Sequence, residues 1–334
     1  MNNFKIDRRA LVTRHNPNYR QPAKNAPLSV GNGSFCYTAD FAGLQSFGSG
    51  YSYFPLCTMS EWGWHSYPDA GRDPADLRLT PFDTWGREVG YAVDGSGQEE
   101  LYNSLRQNPH RFNLGSIGFD LPDSAIDDCT GVNQVLDLWS GIIDSSFSLW
   151  REKINIRTFV HAGEDTVCIR VTSPLLEKQK LRIKLSFPYG SHTKTGGDFS
   201  LGSRHTSIPH RISASLLNIN RCMDGTVYTV QVLTDENSFY QQQQGEAHEF
   251  FFGSKNGSLT IAFRFVRNGA ALTAAADQLC DRFYGEAERA TMAFWENYWT
   301  EGGAVDLGDS PAAGAGELER RLQSSNSTAP PSVQ

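Results

Sequence analysis

The chain has 334 residues, 39% hydrophobic and 20% charged, which is the balance of a globular protein long enough to bury a large core. Its formal net charge is −7 and no Lys/Arg run stands out, so the basic face that a nucleic acid or an anionic membrane requires is missing. A neutral or weakly charged ligand is what remains.

The N-terminus, Met1 to Arg9, carries charges but no apolar stretch of signal-peptide length, and no later run approaches the ~20 apolar residues of a membrane helix. A cytoplasmic location is the expectation. Cys36, Cys57, Cys129, Cys168, Cys222 and Cys280 are widely spaced with no C-x-x-C pair, so no metal or other cofactor is expected. Cys168, in an apolar strand, and Cys280, on an apolar helix face, read as buried free thiols.

From residue 28 to 267 the pattern has period two. Ile143, Ser145, Phe147 and Leu149 alternate with their neighbours, as do Val167, Ile169 and Val171. Leu181, Ile183, Leu185 and Phe187 repeat the pattern, and Leu259, Ile261, Phe263 and Phe265 repeat it again. Each segment predicts a strand that buries one side. Turn residues separate them: Ala162-Gly163-Glu164-Asp165, Met223-Asp224-Gly225 and Lys255-Asn256-Gly257, the last two read as hairpin turns. The order predicts a mainly β protein, a large antiparallel β-sandwich over 1–270. Gly31-Asn32-Gly33 reads as a tight turn, and residues 60–86 and 94–115 as long loops. His192, His205 and His210 read as lying in a loop region, without metal-ligand spacing.

After Asn268 the period lengthens. Leu279, Phe283, Ala287, Ala290, Phe294 and Tyr298 define an apolar stripe, with Cys280, Tyr284, Thr291 and Trp295 beside it, on a helix from about Thr273 to Trp299. It is stopped by Gly302-Gly303, giving a linker helix within 271–303. Residues 304–334 hold a short helix opening at Glu317 and running to Leu322, then a Ser/Pro-rich tail expected to be disordered.

Pro27-Leu28-Ser29-Val30-Gly31-Asn32-Gly33, followed by Thr38-Ala39-Asp40-Phe41-Ala42-Gly43-Leu44-Gln45-Ser46-Phe47, resembles the start of glycosidases related to glycoside hydrolase family 65, in the six-hairpin glycosidase superfamily. Ser60 to Ser66, Asn108 to Arg111, Leu136 to Gly141, Ser173 to Leu175, Phe187 to Tyr189, Phe294 to Glu296 and Gly302 to Leu307 resemble the same group in the same order. The resemblance implies a supersandwich, a linker helix and a catalytic (α/α)6 barrel that carries the acid/base glutamate. Only 32 residues follow Gly302, whereas twelve barrel helices of about ten residues need several times that, so truncation before the barrel is expected.

Glycoside chemistry needs a proton donor and a second group across the sugar. Asp40, Glu61, Asp137 and Glu296 form no recognisable pair, each reads as structural, and no catalytic residue is assigned. The best sugar contacts are Trp62, Trp64 and His65 in the aromatic loop, with His110 and Arg111. Indole faces stack on pyranose rings, and imidazole or guanidinium groups bond hydroxyls. The same residues also suit an aromatic cluster gluing the loop to an interface. The expected role is the non-catalytic front domain of a family 65-like hydrolase or phosphorylase acting on carbohydrate, such as an α-glucoside. The expected partners are the barrel and, through an exposed linker helix, a second copy. A free-standing carbohydrate-binding module or an inactive gene-model fragment are the alternatives.

Overall fold

The structure, a computed structural model, describes residues 6–51, 53–68, 71–194, 196–242, 247–267, 280–301, 303–308 and 314–326. Antiparallel strands dominate. The largest sheet runs, in spatial order, Asn18–Tyr19, Cys129–Asp137, Ile142–Leu149, Glu152–Val160, Thr166–Thr172, Ser258–Arg267, Thr226–Thr234, Leu216–Met223 and His205–Arg211. A second sheet contains Ser238–Gln241, Glu249–Ser254, Ile183–Ser186 and Ser116–Phe119, and a third Leu28–Gly31, Phe35–Ala39 and Thr58–Ser60.

Apolar side chains from all three sheets merge into one core. Aromatic pairs cross between layers: Phe252 with Phe263 at 5.7 Å and Phe35 with Phe265 at 5.6 Å between ring centres. The period-two residues named above are buried. Alternation puts them on one face, and burying that face drives the layers together.

The opposite face of the large sheet is covered in part by the helix Cys280–Glu301. Ile142, Phe159, Cys168 and Ala262 point outward and meet Tyr284 and Ala287. The buried stripe is Cys280, Tyr284, Ala287, Thr291, Trp295 and Trp299, displaced from the one the periodicity picked out first. Phe283, Phe294 and Tyr298 are only half-buried, and Ala290 is exposed. The helix has more apolar surface than one contact can cover, so packing rather than periodicity selects the inner stripe. Residues 273–279, where the helix was expected to begin, lie outside the described residues.

Other expectations are corrected. Lys255-Asn256-Gly257 does not join a hairpin: it links Glu249–Ser254 to Ser258–Arg267, which lie in different sheets. Its Asn256 Oδ1 accepts the Ser258 N–H and the Ser254 hydroxyl, so the same turn chemistry makes a corner between layers. The first stretch read as a loop contains the strand Thr80–Thr84, which forms a hairpin with Arg87–Tyr91 just beyond it, and the second contains a helix, Glu99–Gln107. His205 and His210 lie in the edge strand His205–Arg211 rather than in a loop. The last helix spans Ala315–Asn326, continuing beyond Leu322; residues 327–334, the rest of the expected disordered tail, lie outside the described residues.

Several motif residues serve the fold. Asp40 is buried, and its carboxylate accepts the backbone N–H groups of Ala42, Ser46 and Phe47. Gln45 bridges Thr38 O and the Ile117 N–H, locking the third sheet to the second. Asp137 accepts bonds from Asn16, Ser140 and the Trp139 N–H at the turn before Ile142. Glu319 of the last helix is buried against Arg14 and His15, clasping the two ends of the chain.

Candidate functional site

The five residues singled out for sugar contact come together around two short strands. Trp64–His65 pairs with His110–Arg111, placing Trp64 opposite Arg111 and His65 opposite His110. Strand alternation then sorts them: Trp64 is 46% exposed, whereas His65 and His110 are 1% and 8% exposed.

The outward pair forms a ledge. The Arg111 guanidinium lies 4.1 Å from the Trp64 ring centre, and its Nη1 donates to the carbonyl oxygens of Ser60 and Glu61, both at 2.7 Å. Those bonds fix the guanidinium plane over the indole, a cation–π arrangement with a rigid floor. Trp62 is turned inward. It packs on Tyr228 and donates its indole N–H to Asp165 at 2.7 Å, so it anchors the loop to the core.

The inward pair forms an imidazole cluster. His65 and His110 meet edge to face with 5.1 Å between ring centres, surrounded by Tyr67, Phe112 and Tyr189. His65 Nδ1 lies 3.2 Å from Thr226 Oγ1, and Nε2 lies 3.2 Å from Asp224 Oδ2 but off the line that a hydrogen bond requires. Tyr189 donates to the same Asp224 oxygen at 2.5 Å. Burial lowers the His65 pKa to about 4, helped by His110 and opposed by Asp224.

His110 Nδ1 lies 2.8 Å from the Gln107 carbonyl oxygen. A carbonyl can only accept, so Nδ1 carries the proton and Nε2 presents a lone pair. That Nε2 is buried and has no hydrogen-bond partner among the described residues. Gly190 makes room beside it: a Cβ there would lie 2.7 Å from His65 Cδ2 and 3.2 Å from His110 Nε2. His192, more exposed, closes the edge through its Nδ1 contact to Tyr67 at 3.2 Å.

Asp224, Tyr189, Thr226 and Gly190 were not among the expected site residues. Asp224 and Thr226 lay in and beside a hairpin turn, and nothing local in the sequence connects that turn to a loop some 160 residues earlier. Among the described residues no group of three or more His, Cys, Asp or Glu side chains is arranged to hold a metal ion. Nor is any helix among them long and apolar enough to cross a membrane.

With this geometry in hand, comparison with solved structures gives a likeness over most of the chain. A human-microbiome protein described as a kojibiose phosphorylase superposes with a TM-score of 0.51 at 13% identity, covering 89% of this chain and 38% of that one. The fold is of the six-hairpin glycosidase type. This chain spans 38% of that neighbour's length. A bacterial glucoamylase complexed with acarbose covers 55% of this chain and 31% of its own at 11% identity, with a TM-score of 0.35. A family GH92 α-mannosidase from Bacteroides thetaiotaomicron covers 91% and 38% at 11% identity, with a TM-score of 0.29. Scores this low add nothing to the assignment. No family model matches the sequence, and no curated protein matches it.

Proposed function

We propose that this chain is the carbohydrate-contacting, non-catalytic sandwich of a glycoside hydrolase or phosphorylase, its ledge and imidazole cluster shaping the mouth of a site whose acid is supplied by an (α/α)6 barrel. The observation that carries the reading is the juxtaposition of an open Trp64 face and a fixed Arg111 fork. A pyranose offers an apolar C–H face to indole and hydroxyl oxygens to guanidinium. An α-glucoside is the ligand class, in keeping with the kojibiose phosphorylase description of the fold neighbour. The carboxylates considered for proton transfer support a non-catalytic role: Asp40 and Asp137 are engaged by backbone and turn groups, and Glu61 and Glu296 are exposed.

Calorimetric titration of the chain with maltose and kojibiose tests this. Weak binding, lost in Trp64→Ala and reduced in Arg111→Lys, is the expected result. Phosphorolysis or hydrolysis of either disaccharide by the chain alone would contradict the non-catalytic assignment.

A further inference from the structure

The segment between the two ledge strands, residues 66–109, leaves the sandwich and returns to it, tied at its base by the Tyr67 N–H to Asn108 Oδ1 bond of 2.8 Å. It carries the hairpin Thr80–Thr84/Arg87–Tyr91, whose two-residue turn is Trp85-Gly86. Both turn residues have positive φ, +56° and +76°, as this tight turn demands. Asparagine, aspartate or glycine meets that demand cheaply, whereas a bulky L side chain is strained there. Trp85 is also 100% exposed, so it recovers none of that cost by packing within the described residues. A ring that is both strained and unburied is unexplained by folding.

We infer that Trp85 is the platform of a second carbohydrate contact, one that takes a longer glycan than the Trp64–Arg111 ledge takes by itself. This rests on the sugar-site reading above. Two observations favour a sugar over a protein surface. Trp85 stands at the turn between Asp83, Thr84, Arg87 and Glu88, all polar, whereas an interface anchor is ringed by apolar contacts that exclude water. A ring face flanked by carboxylates and a guanidinium is what a pyranose uses, with its C–H face on the indole and its hydroxyls on the charged rim. Further down the same hairpin, Phe82 and Tyr91 are exposed and pair edge to face at 5.7 Å, extending the aromatic track toward the base of the segment.

The test is titration of the full chain and of Trp85→Ala, Trp85→Asn and Trp64→Ala with maltose and with maltoheptaose, alongside thermal melts and sedimentation. Both Trp85 variants are expected to weaken maltoheptaose binding about fivefold to tenfold and to leave maltose binding unchanged. Trp85→Asn, which suits the turn, should melt no lower than the parent. Unchanged maltoheptaose affinity in both Trp85 variants, with binding lost in Trp64→Ala, overturns this inference and leaves the ledge reading standing. Absence of binding of either sugar by the parent chain overturns both. A change in oligomeric state in Trp85→Ala with sugar binding intact assigns the hairpin to a protein contact and overturns the glycan platform.

Discussion

The indole of Trp295 lies directly against Gly141, so close that a Cβ on that glycine would come within 2.1 Å of the ring nitrogen. Gly141 ends the turn between Cys129–Asp137 and Ile142–Leu149, with φ of +70°. One turn along the helix, Trp299 donates its indole N–H to the Leu138 carbonyl oxygen at 2.6 Å. The helix is therefore seated on a sheet turn by two indoles. Gly141→Ala must displace Trp295 and strain the backbone, and a loss of about 2–4 kcal/mol in urea unfolding is expected. A loss below about 0.5 kcal/mol would show that the helix is not held at this point.

Acidification should weaken the protein through His65. Its folded pKa, about 4, lies below the ordinary 6.5 because burial disfavours the cation. The stabilisation is fully present above pH 6.5 and is lost as pH falls toward 4, since the unfolded chain then takes up the proton more readily. At about 1.4 kcal/mol per unit the total is on the order of 3 kcal/mol. His65→Phe should flatten the stability–pH curve across that window, measured by chemical unfolding at successive pH values.

Asp40 should act in the opposite sense. Burial raises its carboxyl to about 7, although the amides of Phe47, Ala42 and Ser46 pull it down. A raised acid contributes stability that is present below about pH 4 and lost as pH rises through 7. Asp40→Asn removes this titration but leaves at least one of the amides without an acceptor, at a cost of about 1–3 kcal/mol. Lower stability at pH 4 together with a steeper rise between pH 4 and 7 is the expected outcome of unfolding curves, because His65 then acts without its opponent.

Arg221 is buried, with no carboxylate partner among the described residues. Its guanidinium donates to Thr206 O and Ser207 Oγ at 2.6 Å, to Tyr228 at 3.3 Å and to Pro188 O at 3.4 Å, and lies over the Phe187 ring. Lysine can neither reach all four acceptors nor stack its charge in the same plane. Arg221→Lys should cost about 2–4 kcal/mol and loosen the edge strand His205–Arg211. Hydrogen exchange should quicken on that strand; equal protection in parent and variant would contradict the role.

The strands were legible where large apolar side chains alternate with small or polar ones. Leu259, Ile261, Phe263 and Phe265 alternate, and the core takes all four. The helix Glu99–Gln107 was missed because none of its residues is buried, and its stripe of Leu101, Tyr102 and Leu105 is short. The hairpin at Trp85-Gly86 was missed because tryptophan is an unusual first residue for that turn. In the candidate site, the loop carrying Trp64 and His65 stood out by its aromatic density. Asp224 and Gly190 did not, since each has a complete local explanation as a turn residue.

Local chemistry alone thus determined which segments are strands, where the last long helix lies, and that Trp62, Trp64, His65, His110 and Arg111 deserve a common reading. Periodicity and turn propensity act over a few residues, and so they survive in the sequence. The tertiary structure decided which helix stripe faces the sheet, that Asn256-Gly257 crosses between layers, and that His65 and His110 pack in one cluster with Asp224 and Tyr189. Those outcomes depend on which surfaces meet after collapse, a long-range choice that no short window of residues encodes.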